Sequence, residues 1–425
     1  MKKNLLLAAA VYAAVSYLPS ATAIEPSLEK KVIEWRRHLH QNPELSNREY
    51  QTSAYVEKHL RALGLEVQTG VAHTGVVAML KGGKPGPLVA LRADMDALPV
   101  TEQTDLPFAS KVKTTYRGQE TGVMHACGHD THVAILMGVA EMLSQQKAQL
   151  QGDVMFIFQP AEEGAPEGEE GGAALMLKEG LFAKRKPDAV FGLHITSSLP
   201  AGFAGLRAGP LMASEDSFEI TLTGRQTHGS RPWNGVDPIV AAAQLINATQ
   251  TIVSRQVDVT KAPAVVSFGA IKGGIRSNII PDEVELIGTI RTFDQDMRAD
   301  IKTRLARTVD LVAQTNNAQS HMHINEGYPV TVNSEVLVEK YTPTLKRVFG
   351  EQRVVTTPLV TGAEDFSYYA LEVPGIFFFL GGTEPGIDPV TAPSNHSPFF
   401  KIDESALALG VQALVDLTLD FQRTH

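Results

Sequence analysis

One cysteine in 425 residues, Cys127, cannot close an internal disulfide, so the fold must hold without covalent staples in any compartment. Basic charge is also scarce: 38 Lys plus Arg stand against 47 Asp plus Glu, a formal net charge of −9. No cationic field is available to hold a polyanion, which argues against nucleic acid as a partner. Beyond the N-terminus no apolar run approaches the roughly 20 residues that cross a bilayer. Internal repeats are lacking, and so is low complexity apart from the acidic, glycine-rich stretch 162–172, read as a loop. What is present, 43% hydrophobic and 20% charged residues, describes a packed globular chain and excludes disorder, collagen-like repeats and a coiled coil. A chain this long exceeds one ordinary core, so two or three domains are expected.

The N-terminus carries an address. Lys2 and Lys3 precede an apolar run, 5–18, and Ala21-Thr22-Ala23 supplies the small-x-small pattern that signal peptidase accepts. Residues 1–23 are expected to be a signal peptide and the mature chain an exported, soluble protein, periplasmic or secreted, with no membrane association after cleavage.

Residues 29–63 show helical periodicity through Val32, Trp35, Leu39, Val56 and Leu60, broken at Asn42-Pro43, which predicts two helices. Short apolar runs follow at 76–80, 88–91, 154–158, 189–193 and 376–380, several alternating with helical stretches such as 133–143. That alternation predicts an α/β domain, a mixed, mostly parallel sheet with helices on both faces. Three runs end in polar residues: Arg92, Asp94 and Asp96; Glu162 and Glu163; His194. In open α/β sheets ligands bind beyond the carboxyl ends of strands, so these side chains are expected to meet. Between 213 and 326 the pattern changes to β-α-β-β-α-β: alternation at Phe218, Ile220 and Leu222, a helix over 238–257, strands at 264–271 and 283–293, a helix over 297–315 and a strand near 321–325. This predicts a ferredoxin-like unit inserted into a domain made of 24–212 and 327–425, whose last element is a helix over 404–421.

The densest chemistry is Met124-His125-Ala126-Cys127-Gly128-His129-Asp130-Thr131-His132. Soft sulfur and imidazole nitrogen suit zinc or other transition ions. A cysteine nucleophile paired with His125 or His129 is the competing reading, because a helix N-terminus lowers a thiol pKa. Close carboxylates favour the metal, and Glu162-Glu163 supplies them after the apolar strand 154–158. Neighbours on an extended chain point opposite ways, so one carboxylate can bind metal while the other faces substrate. His194 and His396 are each weak signals alone.

Taken together the residues resemble peptidase family M20, and within it the subgroup (subfamily D) of hippurate hydrolases, aminoacylases and auxin-conjugate hydrolases. The resemblance covers nearly the whole mature chain. It rests on Arg36-Arg37-His38-Leu39-His40-Gln41-Asn42-Pro43-Glu44, on Leu91-Arg92-Ala93-Asp94-Met95-Asp96-Ala97-Leu98-Pro99 and on the His125 to His132 block. Gln159 to Gly164, Gly362-Ala363-Glu364-Asp365-Phe366 and Asn395-His396 complete it. It implies a zinc-exopeptidase-like catalytic domain with an inserted lid and dimerisation domain, and two divalent ions per subunit, zinc, manganese, cobalt or nickel. By resemblance Cys127 would bridge the ions, with His129 and His194 completing one and Glu163 and His396 the other. Glu162 would be the general base, and Asp94 would orient a ligand histidine. His228 would reach the partner subunit's site in a homodimer to stabilise the oxyanion, while Asn278, Arg291 and Gly362 would bind substrate, the first two its free carboxylate.

The activity this implies is hydrolysis of the amide of N-acyl or N-aminoacyl amino acids, small-molecule substrates, to a carboxylic acid and a free amino acid. A metallo-carboxypeptidase or dipeptidase on short peptides is the alternative within enzymes. A non-catalytic exported binding protein is the alternative outside them, and a pure binder has no need of a base at Glu162.

Overall fold

A strand that is apolar at every position is stable only when both its faces are covered. Gly375–Thr383 is such a strand, buried throughout. In the computed structural model, which describes residues 23–425, it lies inside an eight-stranded sheet. The expected signal peptide, 1–23, lies outside the described residues except for Ala23. Among the described residues no helix is long and apolar enough to cross a membrane.

The sheet runs Glu66–Val71, Gly75–Leu80, Gln151–Gln159, Lys84–Asp94, Ala189–Pro200, Gly375–Thr383, Ala204–Leu206, Val354–Thr356. The four central strands, from Gln151–Gln159 to Gly375–Thr383, are mutually parallel. Alternate residues serve two cores, as the two-residue period of a strand requires. Val89, Leu91, Phe156 and Phe158 face the core shared with helices Pro26–Gln41, His129–Gln145 and Ala406–Thr424. Leu88, Ala90, Met155 and Ile157 face a second core shared with helices Gly172–Lys178 and Phe366–Glu372.

The margins make the sheet mixed. Gly75–Leu80 and Glu66–Val71 join antiparallel. Glu66–Val71 reads as polar because it is an exposed edge, the position where polar side chains discourage pairing with another chain. The final helix runs Ala406–Thr424, starting two residues later and ending three later than expected.

The inserted unit spans Ser214–Thr223, Pro238–Thr251, Ala264–Gly273, Glu283–Thr292, Gln295–Thr315 and Gln319–Glu326, in the ferredoxin-like order. Its four strands are antiparallel, ordered Ala264–Gly273, Glu283–Thr292, Ser214–Thr223, Gln319–Glu326. Both helices start on carboxylate caps: Asp237 accepts from the Ile239 and Val240 amides, and Asp294 from Met297. They cover one face through Leu245, Ile301 and Leu305 against Phe218, Ile220 and Leu286. The first helix stops six residues short of the expected 257 and widens into a π turn, Ile252–Gln256, at the β-branched run Thr251-Ile252-Val253. The opposite face of the sheet is open, with Val265 and Ile287 exposed.

Candidate metal centre

The helix His129–Gln145 begins next to the carboxyl ends of the parallel strands. Gly128 precedes it with φ +98°, a left-handed conformation that L side chains rarely adopt. A Cβ there would sit 2.3 Å from Ile195 Cγ2, so the turn requires glycine on packing grounds too. This turn brings Cys127 and His129 into one cluster with His194, from strand Ala189–Pro200.

Cys127 Sγ stands 3.3 Å from His194 Nε2 and 3.2 Å from His396 Nε2. Glu163 Oε1 lies 3.2 Å from His396 Nε2 and 3.9 Å from His129 Nε2. Two ligand-type triads therefore share one sulfur: Cys127, His129 and His194, and Cys127, Glu163 and His396, each with its donor atoms within 4.8 Å of one another. His129 donates from Nδ1 to the Asp96 carbonyl at 2.8 Å, and His194 from Nδ1 to the Ile195 carbonyl at 2.6 Å. Each hydrogen bond fixes the tautomer and leaves the Nε2 lone pair for a cation. His129 Nε2 is buried with no hydrogen-bond partner. Orphaned acceptors of this kind demand an explanation, and a bound cation provides it. The donor set fits.

Electrostatics separate the two readings of the cysteine. Burial, then the charges of Glu163 and Glu162, push the Cys127 thiol well above its ordinary pKa. A free nucleophile needs the opposite shift, whereas a cation would deprotonate this thiol outright. Burial holds His194 neutral. Burial opposes a charge on His129, yet Asp94, Asp96 and Glu163 push it up to about 10.

The Glu162-Glu163 dipeptide is fixed from behind. Ala161 has φ +53°, and its amide donates to Glu49 Oε1 at 2.9 Å. The Glu162 and Glu163 amides then donate to the two oxygens of Asp96, each at 3.0 Å. Tyr328, where the chain leaves the inserted unit, donates its hydroxyl to the Glu162 carbonyl at 2.5 Å. Glu162 itself is buried, Oε2 3.7 Å from His129 Nε2. Asn395 donates to the carbonyls of Cys127 and Ile195 at 2.8 and 3.1 Å, tying the His396 loop to both neighbouring ligand segments.

Asp94 differs from the expectation in its partner. Its Oδ1 accepts from His132 Nδ1 at 2.5 Å and approaches His129 Nδ1 only to 3.8 Å. His132 Nε2 accepts the Ile195 amide at 2.8 Å, so Asp94 steadies the strand that carries His194 rather than a ligand ring directly. Arg92, fully buried, binds Asp94, Glu364 and Asp365 together. Asp96 meets Glu162 and Glu163 as expected, but through their backbone amides; the sequence gives no sign of the role of Tyr328, and of Asn395 only its adjacency to His396.

The remaining candidates lie apart from this cluster. His228 is exposed on the inserted unit, where the short strand Thr227–His228 pairs with Ile279–Ile280 and brings it beside Asn278. Ser230 donates amide and hydroxyl hydrogens to His228 Nδ1 at 3.0 and 2.8 Å, leaving Nε2 outward. Arg291 is half-buried, Nη2 3.9 Å from Glu215 Oε1. Gly362 sits at the junction between the two sheets, its carbonyl accepting the Ala213 amide at 3.1 Å.

Residues 90–420 match the model of peptidase family M20/M25/M40. The chain is 43% identical over 396 residues to thermostable carboxypeptidase 2 of Saccharolobus solfataricus, covering 93% of this chain and 96% of that protein. It is 39% identical to the N-acetyl-L-cysteine deacetylase of Bacillus subtilis, over 90% of this chain and 86% of the relative. Among solved structures, a dinuclear metal-binding M20 peptidase from Bacillus subtilis superposes with a TM-score of 0.78 at 34% identity, covering 94% of this chain and all of that one. The chain belongs to peptidase family M20. It is a hydrolase acting on amide bonds.

Proposed function

We propose that this protein hydrolyses the amide of N-acyl or N-aminoacyl amino acids, releasing a carboxylic acid and a free amino acid. The observation that carries the reading is the sulfur of Cys127 flanked by His194 and His396, with Glu163 closing one triad and the buried Glu162 standing beside it. Cys127, His129 and His194 would hold one divalent ion, and Cys127, Glu163 and His396 the other. When bound, such ions can lower the pKa of a water ligand to about 7 and polarise a carbonyl oxygen.

The protein's own groups do the rest. Glu162 takes the proton of the attacking water and passes it to the departing amine. Burial, with Glu364 and Glu163 nearby, holds its carboxyl well above the usual range, which helps it keep that proton between the two half-steps. Asp96, gripping both backbone amides, keeps base and ligand in register. Asn278 and Arg291 hold the substrate carboxylate. His228, with Nε2 outward, stabilises the oxyanion in the site of a partner subunit, which requires a homodimer.

The likeness to a carboxypeptidase favours a second reading, release of C-terminal residues from short peptides by the same groups. Both are tested by removing metal with a chelator and restoring Zn²⁺, Mn²⁺ or Co²⁺. Assays of benzoyl-glycine, acetyl-amino acids and dipeptides should show activity lost and regained; activity indifferent to metal refutes both. Preference between acyl-amino acids and dipeptides decides between them. We read the protein as exported after cleavage behind Ala23, for which N-terminal sequencing of the mature protein is the test.

A further inference from the structure

The peptide groups on both sides of Glu162 are held. Its amide donates to Asp96 Oδ1 at 3.0 Å, and its carbonyl accepts the Tyr328 hydroxyl at 2.5 Å. A residue has only two soft backbone dihedrals, so pinning both neighbouring peptide groups fixes the direction in which its side chain leaves the chain. The two anchors come from different units. Asp96 follows strand Lys84–Asp94 of the larger sheet, whereas Tyr328 lies just beyond Gln319–Glu326, the last strand of the inserted unit.

The segments that enter and leave the inserted unit are locked to each other beside Tyr328. The Tyr328 carbonyl accepts the Glu215 amide at 2.9 Å, and a Cβ on Gly327 would sit 2.5 Å from the Glu215 carbonyl oxygen, so only glycine permits this approach. Arg298, on helix Gln295–Thr315, grips both segments: its guanidinium donates to Asp216 Oδ1 and Oδ2, each at 2.7 Å, and to the Gly327 carbonyl at 2.9 Å. From the other unit the Tyr368 hydroxyl donates to the same carbonyl at 3.3 Å, and its ring meets that of Tyr328 edge-on with centroids 6.2 Å apart. Burial, then Asp365 and Glu162, push the Tyr328 hydroxyl well above its ordinary pKa, so it stays a donor. We propose that Tyr328 is a positioning residue for Glu162 and the end of a relay, Arg298 to Gly327 to Tyr328, through which the orientation of the inserted unit aims the base. The unit that carries Asn278 and Arg291 would then also direct Glu162, registering the substrate's carboxylate to its reacting amide. The proposal rests on the amidohydrolase reading above.

The experiment measures kcat, KM and metal content with benzoyl-glycine for the metal-reconstituted full chain, Tyr328→Phe, Arg298→Lys and the double variant, beside hydrogen exchange of the metal-free proteins read by mass spectrometry. Phenylalanine keeps the ring against Tyr368 and removes only the hydroxyl. Tyr328→Phe should lose about 10–100-fold in kcat with KM and metal content unchanged. Exchange in the segment 160–164 should rise about five-fold, while helix Ala406–Thr424 stays as protected as in the native protein. Arg298→Lys keeps a cation for Asp216 but loses the fork that also reaches Gly327, so it should lower kcat by a smaller factor and add nothing further to Tyr328→Phe. Unchanged kcat in Tyr328→Phe, or exchange that rises along the whole chain, overturns the positioning role; effects of the two substitutions that simply multiply overturn the relay. Either result leaves the amidohydrolase reading intact. A native protein that turns over no amide with any metal removes both.

Discussion

The two sheets treat their functional residues in opposite ways. At the carboxyl ends of the eight-stranded sheet, ligand-type residues are buried and interlocked: Asp96 holds two backbone amides and Asn395 ties two ligand segments. In the inserted unit one face of the four-stranded sheet is bare, and His228 and Asn278, at a separate two-stranded pairing, stand exposed, with Ser230 steadying His228. The difference tracks the chemistry. Two cations need donor atoms fixed before they arrive, because coordination tolerates little error. Under the proposed function, His228 would approach substrate from a partner subunit, and such a group is better left outside, with its atom presented and its surroundings free.

That contrast can be broken at four points. The largest effect is expected at the base: Glu162→Gln should bind metal as the native protein does yet lose about 10²–10⁴-fold in kcat, read by metal analysis beside steady-state kinetics. A loss of metal together with activity would put Glu162 among the ligands instead.

Next comes the buried charge network behind the ligand helix. Arg36 donates to Asp130 Oδ2 at 2.7 Å, and His40 reaches Asp130 and Glu102 with its two ring nitrogens at 2.9 and 3.1 Å. Arg36→Met should cost about 3–5 kcal/mol in denaturant unfolding, since it leaves buried carboxylate uncompensated. The pH dependence has a definite sign. Despite burial, Arg36 and His40 hold the Asp130 carboxyl well below its usual range. Its contribution is thus present above the unfolded carboxylate value of about 3.9 and fades as pH falls below it. His40 is raised by Asp130 and its neighbours against the opposing effect of burial. Its contribution is full below about 6.5 and is lost as pH rises through the folded value. In Arg36→Met the acid loss should begin at higher pH, because Asp130 has lost a cation.

On the open side, His228→Ala should leave unfolding midpoint and metal content unchanged while slowing turnover by about 10²–10³-fold. A change in stability would show that its exposure is misleading. The smallest effect is expected at Asp96→Asn, where one amide of the dipeptide loses its carboxylate partner: about 10–100-fold in activity or metal affinity.

Much of this was legible because it is local in sequence. The His125 to His132 block, the apolar runs ending in Asp94, Glu162 and His194, and the alternation that marks the inserted unit all declare themselves within a dozen residues. What could not be read joins distant segments or has a faint local signal. That Asp96 would hold the backbone amides of Glu162 and Glu163, 66 and 67 positions away, could not be read, nor could the reach of Tyr328 to Glu162 across 166. The hairpin Lys113–Tyr116 and Gln119–Gly122 is short and polar because it stands in solvent, so no apolar run announced it. Asp94 was expected to orient a ligand histidine and touches His132 instead, for a related reason. Proximity to the cluster identifies an acid that acts there, but which ring it touches depends on how the helix starting at His129 is rotated against the strand.

The central claim is that one sulfur is shared by two cations. Equilibrium dialysis of the metal-free protein against Co²⁺, followed by absorption spectroscopy, tests it directly. The account predicts two ions per chain and a thiolate-to-cobalt charge-transfer band that vanishes in Cys127→Ser. A single ion per chain, or two ions with no sulfur band, would contradict it.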